Sequence, residues 1–475
     1  MDANTLRRLN YLWKYRHNHD DDTTEAELTE IRVTIKHITD ELGTPILTTK
    51  GDLHGFDTDQ ARIPVGADGE VLTADSAEAL GVKWDTGGGG AATPTVLIAA
   101  VNTVYTGAVN YTCDGTDDDV TIETAMAAVS PGGRVVLTDG TFTLGNTIDF
   151  TLSPNRGGIT IEGMGPEATI ITKANGNNNH LFTSDDNISH NRIANLSIDG
   201  NKANCTAGNG INWQGDYLWL DNLYIHDCDG HGVFTPAGTT KHFIKNCYVA
   251  ANGASGFSLS GAPATLNGCV STANTSYGYV MDGAGQFVNG CYSSDNAAGG
   301  YYLAEIYCHL VGNFSSNDEF GVSTGPGFNT IIGNIVINAD TYGIGVGDCS
   351  NNVVNDNLVY FAGQHGILLV NADLCLVANN RIINPSRDTN NTYDGIVTTT
   401  NCDWNYIIGN HITGNSSTPK PRYGVNINAS SNSNNHYLAN LTGASGDYGT
   451  AQYNDAGTTS VNTWPGAATP QGDNF

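Results

Sequence analysis

From residue 190 onward, apolar and polar positions recur in two interleaved phases. One phase starts at Asn195-Leu196, Asn222-Leu223, Asn246-Cys247, Gly268-Cys269, Gly290-Cys291, Asn313-Phe314, Asn334-Ile335 and Asn357-Leu358, at intervals of 21 to 27 residues. Looser copies follow around Asn380, Asn410 and Asn440. The second phase starts at Gly232-Val233, Gly256-Phe257, Gly278-Tyr279, Gly300-Tyr301, Gly321-Val322, Gly343-Ile344, Gly366-Ile367, Gly395-Ile396 and Gly424-Val425. Two strand starts in each period of roughly 22 residues predict a coiled solenoid rather than a closed domain.

Stacked coils bring equivalent residues into ladders at the interstrand spacing of about 4.8 Å. Asn ladders are therefore expected to hydrogen-bond side chain to side chain at the bends. Strand alternation turns Val233/Thr235, Phe257/Leu259, Tyr279/Met281, Tyr301/Leu303 and Ile344/Val346 inward, with the residue between each pair outward. Cys247, Cys269 and Cys291 fall in a phase held elsewhere by Leu, Phe and Ile, which suits a reduced stack of small apolar side chains. A leucine-rich repeat would need LxxLxLxxN, and a propeller a WD-like motif in every roughly 40 residues; neither is present. The expected fold is all-β, a right-handed parallel β-helix over residues 93–440, with 441–475 as a cap or tail that loses the period.

Upstream the pattern is different. Thr24 and Glu27 make a capping box, followed by Leu28, Ile31, Ile35, Ile38 and Leu42 at alternating spacings of 3 and 4. Isoleucine at successive seam positions favours three or more strands, so residues 1–45 are expected to attach and trimerise the chain. Residues 113–144 read as an acidic turn, a short helix, a Pro-Gly-Gly break and a hairpin-like return. Asp114, Asp117, Asp118 and Asp119 do not fit an EF-hand loop, and capping of the helix start accounts for them.

Composition narrows the function. Hydrophobic residues make up 39% of the chain and charged residues 14%, so Gly, Asn, Ser and Thr carry the polar share, as turn-rich β structure requires. Acidic residues outnumber basic ones 48 to 20, for a formal charge of −28. Such a surface repels phosphate backbones and anionic lipid, which excludes nucleic-acid and membrane-surface partners. No apolar run reaches membrane-spanning length, and the N-terminus lacks the apolar stretch of a signal peptide. The ten cysteines include no CxxC pair. No metal or cofactor is expected.

Residues 46–92 carry TKGDL, Arg62-Ile63-Pro64-Val65-Gly66, Gly69-Glu70-Val71-Leu72-Thr73-Ala74 and Gly81-Val82-Lys83-Trp84, then a Gly linker. This segment resembles a connector module of tail fibres and tailspikes of tailed viruses. Residues 113–144 are similar to the start of pectate-lyase-like tailspike domains, where a capping helix precedes the β-helix. The resemblance implies a virion tail location, synthesis in the host cytoplasm, a homotrimer, attachment to tail or baseplate proteins through the N-terminus, and recognition of a host cell-surface polysaccharide. It leaves open whether the polysaccharide is also cut.

Two clusters are candidates for chemistry. Asp282 and Glu305 fall on adjacent coils of the outward face, with Tyr302 beside them as a sugar platform and Asp348 in a similar phase. As a pair they would serve as acid and base. The alternative is Asp199 followed one coil later by His226, Asp227, Asp229 and His231, in which Gly230-His231-Gly232 looks like the tripeptide of polygalacturonase-type hydrolases; Phe234 is a second glycan platform. Both clusters also suit polar turns that cap backbone groups. Cations are scarce between 203 and 380, where Lys241 and Lys245 stand alone. That favours neutral or amino sugars over uronates, and hydrolysis over lyase chemistry.

Overall fold

A computed structural model describes residues 95–457 apart from 155 and 262, the strand Val461–Thr463, and four upstream strands. The seam Leu28, Ile31, Ile35, Ile38 and Leu42 lies outside the described residues. The chain divides into two compact units, Met1–Ala92 and Thr93–Phe475. In the first, Leu53–Phe56 pairs antiparallel with Gln60–Ile63, and Glu70–Ala74 with Val82–Thr86.

The second unit is a parallel β-helix with three strands per coil. One sheet, here sheet A, has 27 strands and takes two rows from each coil; sheet B has 13 and takes one. A representative coil runs Phe257–Leu259 in sheet B, then Ala264–Asn267 and Val270–Thr272 in sheet A. The first row of sheet A has no phase of its own in the sequence reading. Its inward residues Ile244, Leu266, Val288, Leu310 and Ile331 are all at most 1% exposed and line the core. The pairs expected inward on sheet B are buried throughout: Phe257, Leu259, Tyr279, Met281, Tyr301 and Leu303 are each at most 1% exposed.

Glycine serves two separate purposes. At the bend between the rows of sheet A, Gly268, Gly290, Gly312 and Gly333 have φ of 60 to 66°, where Asn246, Asp356 and Asn379 stand in other coils. At the start of each sheet B strand the reason is proximity. A Cβ on Gly321 would lie 2.6 Å from the carbonyl oxygen of Gly343 on the next coil and 2.3 Å from Val336 Cγ1.

The bends correct the sequence register by one residue. Cys291 N–H donates to Asn313 Oδ1 and Asn313 N–H to Asn334 Oδ1, so the cysteines share a column with Asn313, Asn334 and Asn357. Phe314, Ile335 and Leu358 instead follow Tyr292 coil by coil in the next column, on the outward face. Leu223 does precede Cys247 in that column, as the pairing of Tyr224 with Tyr248 requires. The thiols are free; burial pushes Cys308 and Cys402 up to about 11, as protonated apolar side chains.

Asn ladders form as expected. One runs Asn252, Asn274, Asn296 and ends on the buried Asp318; another runs from Asn313 through Asn334, Asn357, Asn380 and Asn410 to Asn440.

Both ends differ from the sequence expectation. Arg134–Leu137 and Gly140–Leu144 form no hairpin; they pair parallel with Thr160–Glu162 and Thr169–Lys173 as part of a coil. The helix Asp118–Val129 buries Ile122, Ala125, Met126 and Val129 against the core. Its acidic start does not cap it as expected: Asp117 at the N-cap makes no side-chain capping bond, whereas Asp118 accepts the Gly115 and Thr143 amides and Asp119 those of Gly145 and Asn146, tying the helix to the strand beyond. At the other end Ala451–Asp455 extends sheet B and Val461–Thr463 sheet A, so coiling continues past 441. Backbone ladders need no repeated side-chain motif.

Candidate functional site

The strand register sets where outward side chains meet. In the first row of sheet A, Trp219, Phe243 and Thr265 form one outward column and Asp221, Lys245 and Asn267 a second. Between the columns lies a cleft of about 320 Å³, lined also by Arg192 on the preceding coil. The Trp219 indole stacks on the Phe243 ring with centroids 5.5 Å apart and planes at 14°. Tyr217 and His190 extend this surface, stacked on each other at 4.3 Å, and Lys241 Nζ lies 4.9 Å above the Tyr217 ring while donating to its hydroxyl.

Charge converges on the same place. Arg192 bridges Glu162 at 3.4 Å and Asp221 at 3.0 Å; Lys245 reaches Asp221 at 3.2 Å, and Arg134 pairs with Glu162. Burial alone would raise the Asp221 carboxyl, but hydrogen bonds from Arg192 and Lys245 outweigh it and hold the group below its ordinary range. The sequence reading missed this cleft. Its members lie on four coils, and the one available signal was that Lys241 and Lys245, the cations of an otherwise cation-poor stretch, sit beside aromatics at alternate positions.

Asp199, His226 and Asp227 come together, with one ligand-type atom from each inside a mutual 4.8 Å. His226 Nδ1 is 2.8 Å from Asp227 Oδ2, and the ring stacks on Tyr224 at 4.3 Å. Asp199 is engaged as well, accepting from Thr172 Oγ1 and the Asn201 amide. Asp229 and His231 are outside this trio. Asp229 Oδ2 is buried without a partner. His231 is lowered by burial, its Nδ1 accepts the Ser255 amide, and its ring stacks on half-buried Phe234 at 5.5 Å. Gly232 is one of the close-approach glycines: a Cβ there would lie 2.9 Å from the Gly256 carbonyl oxygen.

On sheet B, Asp282 is exposed and accepts from Ser260 Oγ at 3.0 Å. Met281 pairs with Leu303, so Asp282 follows in line with Ala304, and Glu305 falls one residue further along its coil. Tyr302 is outward and half-buried, stacked on Tyr277 at 5.4 Å, in a patch continued by Phe320 and Tyr342. Asp348 accepts from Asn371 Nδ2.

Comparison with known proteins agrees with this architecture. The family described as "Right handed beta helix region" matches residues 209–382. No sequence among the curated proteins matches the chain. Among solved structures, the pre-mature bacteriophage phi29 gene product 12 aligns with a TM-score of 0.53 at 14% identity, over 76% of this chain and 56% of that one. The Dettilon tailspike protein aligns at 0.50 and 15%, over 75% and 68%. The A-module of the mannuronan C-5 epimerase AlgE6 of Azotobacter vinelandii aligns at 0.50 and 17%, over 74% and 97%. The chain therefore has the right-handed parallel β-helix fold found in phage tailspikes. An epimerase module shares that fold, so fold alone does not assign an activity.

Proposed function

We propose that this protein is a virion tail fibre or tailspike that recognises a host cell-surface polysaccharide through the outward face of its β-helix. The observation that carries this reading is the cleft beside Trp219 and Phe243. Flat apolar rings flanked by hydrogen-bonding side chains match a sugar, which has an apolar C–H face and a polar rim. The connector-like segment 46–92 supports a tail location, with residues 1–45 joining tail or baseplate proteins in a homotrimer made in the host cytoplasm. Three copies multiply weak single-site contacts by avidity.

Depolymerisation is a second reading, favoured by the convergence of Asp199, His226 and Asp227. A carboxylate–imidazole pair beside another carboxylate is equipped to move protons at a glycosidic bond. The test is incubation of the purified protein with host envelope polysaccharides, measuring retention, reducing ends and unsaturated products. Retention with neither product establishes an adhesive fibre; new reducing ends without unsaturation establish a hydrolase. Absence of retention on every host polysaccharide would refute glycan recognition.

A further inference from the structure

We infer that the Trp219–Phe243 cleft is a subsite for a carboxylated sugar, a uronate residue within the polysaccharide; the inference rests on the glycan-binding reading above. The chain carries a formal charge of −28, so a generic surface on it would repel an anion. This cleft is an exception. Around it Arg134, Arg192 and Lys245 face Glu162 and Asp221, three cations to two carboxylates, and Lys241 stands a further strand-end away on Tyr217, balanced by Asp216. The local excess is positive, and it matches a ligand with one negative charge per ring.

The individual groups suit that ligand. Asp221 takes one contact from Lys245, whose side chain is 59% exposed and whose ammonium carries three donors. Arg192 is held by two carboxylates, its side chain is 34% exposed, and it lines the cleft. A sugar ring lying against Phe243, the exposed member of the stack, presents its carboxylate to Lys245 and Arg192, while Thr265 and Asn267 border the same space for its hydroxyls. A neutral sugar would leave the surplus positive charge of this group without a counter-charge. The scarcity of cations between 203 and 380 pointed to neutral sugars; their convergence at one aromatic cleft reverses that expectation.

The test uses the full-length protein and defined probes: oligogalacturonate, oligoglucuronate and oligomannuronate, each beside its carboxyl-reduced neutral counterpart, titrated calorimetrically at low ionic strength. At least one uronate oligomer should bind on the order of tenfold tighter than its reduced form, as a charge-assisted contact requires. Lys245→Gln, at an exposed position, should lose the same factor while melting at the wild-type temperature, and affinity should fall as salt rises. Trp219→Phe should retain charge selectivity with weaker binding. Equal binding of charged and reduced oligomers, or an unaltered Lys245→Gln, overturns the acidic-sugar inference and leaves glycan recognition standing. Binding of no oligomer also overturns it, and the broader reading is then decided by the envelope-polysaccharide assay.

Discussion

Replacing Asn334 by alanine tests whether the asparagine ladder holds the coils together. Asn334 is 2% exposed. Its Oδ1 accepts both the backbone amide of Asn313 at 2.9 Å and the Asn313 Nδ2 at 3.0 Å; its Nδ2 donates to the Leu310 carbonyl and to Asn357 Oδ1, each at 3.0 Å. Two of these partners have a fallback: Asn313 Nδ2 still reaches Val288 O, and Asn357 Oδ1 still accepts the Asn334 amide. The Asn313 amide and the Leu310 carbonyl lose their side-chain partner in a buried bend. An unsatisfied buried group costs about 1–3 kcal/mol, so Asn334→Ala should destabilise by about 2–4 kcal/mol. Asn289→Ala, at an exposed outward position, should change stability by less than about 0.5 kcal/mol. Urea midpoints give the difference, and amide hydrogen exchange localises it, because coupling in a solenoid is to neighbouring coils. Equal midpoints for the two variants, with the Asn313 amide still protected, would refute the ladder as a stabilising device.

Acid should weaken the fold through histidines held neutral. Burial lowers His365 to about 4, and its Nδ1 accepts the Asp394 amide, a bond that protonation breaks; His242 is likewise lowered by burial to about 4. Their folded values lie below the unfolded 6.5, so stability is intact above 6.5 and is lost as pH falls towards 4, by about 2–3 kcal/mol for each. His365→Asn keeps an acceptor, as Asn209 provides to His231 elsewhere, and should flatten the pH dependence of the urea midpoint; an unchanged slope would exclude this origin. On a polysaccharide that is cleaved, Asp199→Asn or Asp227→Asn should reduce release of reducing ends on the order of 10²-fold. Full activity in both would move the site to Asp282 and Glu305. Sedimentation of the intact chain should report a trimer at micromolar concentration, and Ile31→Asp with Ile38→Asp should abolish it; a trimer surviving both changes would rule out the seam.

The spacing of Gly and Asn along the chain was enough to predict the solenoid, because each coil repeats the same steric demand. A glycine recurs where the next coil's carbonyl leaves no room for a Cβ, and Asn, Asp or Gly takes the positive-φ position between the rows of sheet A in most coils, Ala439 being an exception. The inward alternation of Tyr279/Met281 and Tyr301/Leu303 follows from the two-residue strand period and was equally legible. Register at the bends was not: Asn313-Phe314 and Gly290-Cys291 look alike as pairs, and only the inter-coil bond from Cys291 to Asn313 decides that the glycine, not the asparagine, turns the corner. The third strand of each coil was also hidden, since Phe287–Asn289 or His309–Val311 offers one inward residue and no recurring motif. The cleft lay furthest from view. Arg192, Trp219, Asp221, Phe243 and Lys245 are spread over more than fifty positions and become neighbours because stacking sets residues about one coil apart side by side. Period is written in each coil, whereas a surface assembled across coils exists only when the stack fixes which residue lies above which.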